Sequence, residues 1–217
     1  MSESVSQSFL RHPFTTLLGS QGNVKVLRVL ARHGGPLSVS RLTAETRMTG
    51  PGVRAVLETL VARHIVRALG SGRSRLYEFR SDHPLSAALS ALFEAEDGRW
   101  QQILQGLRQA IRGDDRIQAA WLYGSVARGE DGPDSDVDVL VVTGKGLVER
   151  VAEDVRERMR HLGRTHELAV SVVVHTPHEL AGLAARDDAW WANVRQDGRV
   201  LIGPPANQFV VSGGRPR

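Results

Sequence analysis

The sequence predicts a two-domain mixed protein, α+β in its amino-terminal half and α/β in its carboxy-terminal half, and three observations carry that expectation. Residues 20–82 repeat a helical apolar period three times and then give two short β-rich runs around a glycine turn. Residues 83–115 keep a period near 3.6 almost without interruption. Residues 116–205 alternate continuous apolar runs with helical ones, the pattern of a small sheet layered with helices.

The elements follow in order. Residues 1–19 are Ser-rich at their start and read as a flexible segment. Val24, Val26, Leu27, Leu30 and Ala31 recur at helical spacing and stop at Gly34-Gly35-Pro36. Residues 38–46 read as a short second helix. After the break at 48–50, a third helix begins at Pro51, a good first helical residue, and buries Val53, Val56, Leu57, Leu60 and Val61. Residues 65–69 and 74–79 are strands around Gly70-Ser71-Gly72. Leu85, Leu89, Leu92, Phe93, Ile103, Leu104, Leu107 and Ile111 mark a connecting helix over 83–115, weakened at Gly98 and Gly106, with Trp100 as a core residue. Its apolar side needs a cover, which a second copy of the chain supplies if the protein is a homodimer.

The carboxy-terminal half reads strand 117–123, short helix 125–129, strand 136–142, helix 147–162, strand 168–174, helix 177–185 and edge strand 200–202. Asp187-Asp188 reads as a helix cap. From Pro204 the chain is rich in Pro, Gly and small residues, and 206–217 read as a flexible tail.

The most informative segment is Leu122-Tyr123-Gly124-Ser125-Val126-Ala127-Arg128-Gly129, followed by Ser135-Asp136-Val137-Asp138 and a Val/Leu run. Strand residues two apart share a face, so Asp136 and Asp138 present two carboxylates side by side. Left unpaired they repel; hard oxygen ligands of this kind suit Mg²⁺ or Mn²⁺. Gly124 permits a tight turn, and the helix start at Ser125 offers free N–H groups to phosphate.

These residues resemble the nucleotidyltransferase signature of the DNA polymerase beta superfamily, and more closely its minimal nucleotidyltransferase branch. The resemblance implies transfer of a nucleoside monophosphate from a nucleoside triphosphate to a protein, nucleic acid or small-molecule acceptor. By it, Asp136 and Asp138 are catalytic metal ligands, while Gly124, Ser125, Arg128 and Ser135 bind the nucleotide. The pattern departs from the family at one place. A third carboxylate is expected at the centre of a later strand, yet 168–174 holds no acid; Ser171 stands there, and the nearest carboxylate is Glu167, which becomes the candidate third catalytic residue. The branch is known for pairing with helical toxin-like partners, which makes a toxin–antitoxin role and a protein acceptor expectations.

The order of three helices and a β-ribbon over 20–82 resembles the winged helix-turn-helix domain of bacterial transcription regulators. That resemblance places the third helix in the DNA major groove and makes Thr49, Arg54, Arg73 and Arg75 candidate DNA contacts, with transcription regulation as the implied role. A protein-docking module is the other reading of the same segment.

Charge supports the division. Residues 1–82 hold 12 Lys+Arg against 5 Asp+Glu, a balance of +7, and residues 83–217 hold 16 against 19, a balance of −3, which together give the formal +4. A basic half suits double-stranded DNA, and an acidic half suits a divalent cation. The absence of cysteine excludes disulfides and thiolate metal sites. No stretch reaches the roughly 18 apolar residues of a membrane helix, and no signal peptide is evident, so a cytoplasmic protein without membrane contact is expected.

Two function classes remain open at this point. One is an active metal-dependent nucleotidyltransferase with a DNA-binding domain. The other is a DNA-binding regulator whose nucleotidyltransferase fold is a nucleotide sensor or scaffold. His161, His166, His175 and His178 lack the spacing of a metal pair, with His175 placed as a candidate base; Trp190-Trp191 read as packing or as a base-stacking pair.

Overall fold

A computed structural model describes residues 10–209, apart from the side chain of Arg73. It divides into two compact units, residues 1–98 and 99–217.

The first unit is built on three helices, α2 (Gln21–His33), α3 (Val39–Thr46) and α4 (Gly50–Ala62), preceded by one turn of helix, α1 (Phe14–Leu17). Each of the three starts on a hydroxyl cap. Ser20, Ser38 and Thr49 accept from the backbone N–H of Asn23, Arg41 and Gly52, which satisfies donors that have no partner inside the helix. The helix ends follow from left-handed residues at Gly34 and Arg47. Val26, Leu27, Leu30, Leu42, Val53, Leu57 and Leu60 close one core. A three-stranded sheet of order β1-β3-β2 flanks it, from β1 (Leu37–Ser38), β2 (Val66–Leu69) and β3 (Leu76–Phe79), all antiparallel. The two-residue β1 is too short for an alternation signal, and only β2 and β3 were expected. The chain packs earlier than its composition suggests, because Leu17 is buried in this core and Asn23 Nδ2 donates to the Thr16 carbonyl. Residues 1–9 lie outside the described residues.

Helix α5 (Ser86–Ile111) spans the boundary between the units, which falls at Gly98. Leu89 and Phe93 belong to the first core; Ile103, Leu107 and Ile111 belong to the second, with Trp100 packed against it. The expected connector over 83–115 is therefore divided, half of its apolar face serving each unit.

The second unit holds a mixed four-stranded sheet of order β6-β5-β4-β7: β4 (Ile117–Tyr123), β5 (Val137–Thr143), β6 (Val170–His175) and β7 (Arg199–Ile202). Strands β5 and β6 are parallel and the other pairs antiparallel. Because side chains alternate, each strand feeds two cores. Leu122, Val139, Val141, Val172 and Val174 face the second half of α5 and Val151, Val155 and Met159 of α7 (Val148–His166). Trp121, Leu140 and Val142 face Leu180 of α8 (Pro177–Ala185) and Trp191 and Val194 of α9 (Ala189–Asp197). Among the described residues, no helix is long and apolar enough to cross a membrane.

The expected flexible tail differs in its first residues. Ala206 is buried, Phe209 packs edge-on to Trp121 with centroids 5.3 Å apart, and Trp121 Nε1 donates to the Pro204 carbonyl at 2.9 Å. A buried indole N–H needs an acceptor, and the Pro204 carbonyl supplies it. Residues 210–217 lie outside the described residues.

The turn between α5 and β4 is fixed by charge. The Asp114 carboxylate, whose side chain is only 8% exposed, accepts from Arg116 at 2.7 Å and Arg158 of α7 at 2.7 Å, and Arg116 also reaches Asp154 at 2.8 Å. Hydrogen bonds from Arg116 first and Arg158 next hold the Asp114 carboxyl well below the usual carboxylate range. A depressed carboxyl contributes stability above its unfolded pKa of about 3.9 and loses it as pH falls through that value towards the lower folded one. Asp114→Asn is expected to cost about 1–2 kcal/mol at neutral pH, since both arginines are partly solvated, and to flatten the acid limb of the melting profile. Thermal melts of parent and variant between pH 3 and 7 check this; parallel profiles would remove Asp114 from the account.

Candidate nucleotide site

Strand β4 delivers the chain to a one-turn helix, α6 (Gly124–Arg128), through a left-handed Gly124 with φ of +77°. The glycine is required twice. Its φ disfavours any side chain, and a Cβ there would lie 3.2 Å from Asp138 Cγ and collide with Oδ2. The Gly-Ser turn and the second aspartate, fourteen positions apart in the sequence, are thus in direct apposition.

Register explains why. Tyr123 pairs with Asp138 across β4–β5, and Asp138 pairs with Ser171 across β5–β6, so these three side chains form one row on the sheet face that carries Trp121, Leu140 and Val142. Asp138 is half-buried in this row, whereas Asp136 is exposed and lies just before β5, which begins at Val137 and not at Asp136. Burial first, and the neighbouring Asp136 charge second, push the Asp138 carboxyl above its usual range. The same carboxylate, after burial, raises the Tyr123 hydroxyl. A half-buried carboxylate whose charge is opposed by a neighbouring one is a donor that a divalent cation would relieve.

The other expected site residues are placed differently. Ser125 is the second residue of α6, half-buried beside the glycine. Ser135 Oγ accepts from Gly132 N at 2.9 Å and so closes its own turn. Arg128 Nε donates to Glu130 at 2.8 Å, and its Nη1 stands 3.8 Å from Asp197, so its charge is shared with carboxylates.

Glu167 does not join the aspartates. Helix α7 runs to His166, longer than the expected 147–162, and Glu167 is its left-handed cap at φ 53°, exposed, with its N–H bonded to the Gly163 carbonyl. Strand β6 starts only at Val170; Glu167 and Leu168 serve the helix exit, and the Ala169 carbonyl already accepts from Val137 N of β5 at 2.9 Å. Among the described residues, no group of three or more His, Asp or Glu is arranged to hold a metal. Ser171 stands opposite Asp138, on the strand where the family pattern expects an acid.

Tyr123 is the site residue that the sequence does not single out, and Trp190, which reads there as packing or base stacking, meets it through a contact that the sequence does not show. Tyr123 reads in the sequence only as the end of a strand, and Trp190 falls in a segment with no element assigned. Their rings meet edge-on at 5.6 Å and 90°, and Trp190 also lies 5.6 Å from His175. The expected cap at 187–188 is the signal that reveals α9: Asp188 accepts from Trp191 N at 3.1 Å. Trp191, by contrast, is core. His175 Nδ1 is 3.4 Å from Glu179, whose Oε2 is bound by the N–H and hydroxyl of Thr176.

In the first unit, Thr49 is the α4 cap, and its oxygen accepts from Gly52 N at 3.3 Å. Arg54 on α4 and Arg75 before β3 are both exposed. The side chain of Arg73 lies outside the described ones.

Residues 105–202, a little under half of the chain, match the family model "Polymerase beta, Nucleotidyltransferase". No curated protein matches the sequence significantly. Similar solved structures include a toxin–antitoxin with AMP-PNP, at 19% identity, 48% of this chain, 76% of that one and a TM-score of 0.36. The AntR antimony-specific transcriptional repressor is similar at 22% identity, covering 46% of this chain and 90% of that one, with a TM-score of 0.37. A mutant of the toxin–antitoxin MntA-HpeT is similar at 19%, 52%, 79% and 0.35 in the same order.

Proposed function

We propose that the chain, which carries a Polymerase beta nucleotidyltransferase domain over residues 105–202, is a metal-dependent nucleotidyltransferase with a DNA-binding winged helix-turn-helix unit at its amino terminus. The observation that carries the enzymatic part is the apposition of Gly124 with Asp138. It joins a phosphate-accepting turn to a carboxylate pair, the two halves that phosphoryl chemistry needs.

In the proposed reaction an acceptor hydroxyl attacks the α-phosphorus of a nucleoside triphosphate, the new O–P bond forms as the bond to the β-phosphate oxygen breaks, and pyrophosphate and a proton leave. Asp136 and Asp138 would hold Mg²⁺ or Mn²⁺, which would offset phosphate charge and ease deprotonation of the acceptor hydroxyl. Gly124 lets the backbone approach the triphosphate; Ser125 and the adjoining amides donate to it. Arg128 is a reserve of positive charge shared with Glu130 and Asp197. Glu167 acts as the third catalytic carboxylate if the helix exit rearranges around bound nucleotide. A test is incubation with α-labelled triphosphates and Mg²⁺ or Mn²⁺ in the presence of cell extract. Labelled product with matching pyrophosphate supports transfer.

The placement of Ser171 opposite Asp138 favours a second reading, in which the site holds nucleotide and transfers slowly or not at all while the winged unit regulates transcription. The helical order α2–α4 followed by the β2–β3 ribbon, the +7 balance of residues 1–82 and exposed Arg54 and Arg75 support DNA binding under either reading. A homodimer would present two such units to a two-fold operator. Full-length protein is expected to bind duplex DNA with an affinity that falls steeply with salt. The double variant Arg54→Ala/Arg75→Ala should reduce the salt slope by about 1 for each of the two arginines that neutralises a phosphate in the parent. An unchanged slope and affinity would make the unit a protein-docking module.

A further inference from the structure

The sheet face that carries Asp138 continues into a cavity which the proposed reaction leaves unused. About 550 Å³ in volume, it is lined by Val173 and His175 of β6, Gly182 and Leu183 of α8, and Trp190 of α9. Trp190 links it to the aspartates, since its ring meets both Tyr123, the neighbour of Asp138, and His175. Val173 and His175 follow Ser171 on the same face of β6, and a strand rise of about 3.3 Å per residue sets them about 7 and 13 Å beyond the Asp138–Ser171 row. That offset matches what a ribose imposes between the α-phosphate and the base of a nucleotide.

We propose that this cavity receives the nucleobase of the triphosphate, stacked on Trp190, and selects among nucleotides; the proposal rests on the triphosphate site described above. Val173, Leu183 and the Trp190 ring offer apolar faces to a planar heterocycle. The lining also offers polar groups, His178 and Arg186 as donors and the Glu179 and Asp188 carboxylates as acceptors. Glu179 Oε2 is occupied by Thr176 and Asp188 Oδ1 by Trp191 N, while the second oxygen of each carboxylate carries no hydrogen bond among the described residues. Such oxygens accept from an exocyclic amine, which adenine, guanine and cytosine carry and uracil lacks. Gly182 marks the free space: a Cβ added there meets nothing within 4 Å.

The test is calorimetric titration of the full chain, with Mg²⁺ present, using ATP, GTP, CTP, UTP and inorganic tripolyphosphate. ATP should bind at least about tenfold more tightly than tripolyphosphate, with UTP the weakest nucleotide, and Trp190→Ala should remove roughly ten- to hundredfold of the ATP affinity. Because Trp190 also touches Tyr123, Gly182→Leu is the independent arm. It fills the cavity from α8 with a better helix former and should weaken ATP while leaving tripolyphosphate unchanged. Equal affinities for ATP and tripolyphosphate in the parent, or unchanged ATP affinity in both variants, overturn the proposal. Unchanged ATP affinity with abolished transfer assigns the cavity to the acceptor and overturns it as well. If tripolyphosphate itself shows no Mg²⁺-dependent binding, the triphosphate site is what fails.

Discussion

Replacing Asp136 and Asp138 together with Asn is expected to reduce label transfer from an α-labelled triphosphate by at least about 100-fold, a loss of roughly 2.7 kcal/mol in transition-state stabilisation. Amides keep the size of the carboxylates but not the charge that holds a divalent cation. The fold should not suffer. The Asp138 carboxyl already lies above its ordinary range because burial and Asp136 oppose its charge, so removing both charges relieves a cost. Melting temperature in the absence of metal should hold or rise. A variant that melts several degrees lower would show that the pair contributes to the fold, and retained transfer would remove it from the chemistry.

The second large effect concerns the position opposite Asp138. Ser171 pairs with Asp138 in parallel register and points to the same face, so Ser171→Asp places a further carboxylate beside Asp138 without a backbone change. It should raise turnover by about tenfold or more if proton removal from the acceptor limits the parent. Glu167→Gln is the complementary experiment. If the exposed cap at the end of α7 moves in when nucleotide binds, the variant loses turnover far more than nucleotide affinity. If Glu167→Gln changes nothing and the parent transfers to no acceptor, the slow or non-transferring regulator is the better description.

Much of this is legible in the sequence because the signals are local or periodic. The Gly124-Ser125 turn and the Asp136/Asp138 spacing mark segments that the fold brings into apposition, and alternation places Ser171 on the face of β6 that carries Asp138 in β5. What sequence does not show is where an element begins. Glu167 and Ala169 look equivalent at the edge of an apolar run, but the left-handed exit of α7 delays the strand to Val170 and leaves Glu167 on the helix end. Helix α9 shows in the sequence only through its cap at 187–188, because only Trp191 and Val194 are buried along it, too few to define a period. The contact of Trp190 to Tyr123 is hidden because it rests on a long-range approach of α9 to β4. The burial of Ala206 and the packing of Phe209 are hidden for a related reason: a Pro- and Gly-rich composition describes local stiffness, not what the sheet face needs covered.

The central claim is that Asp136, Asp138 and the Gly124 turn form one cation-dependent triphosphate site, and calorimetry with a non-hydrolysable triphosphate analogue addresses it most directly. The full chain should bind the analogue with Mg²⁺, lose most of that affinity when Mg²⁺ is chelated, and show no Mg²⁺-dependent component in the Asp136→Asn/Asp138→Asn variant. Binding that is absent in the parent, or that is the same with and without Mg²⁺ in parent and variant alike, would contradict it.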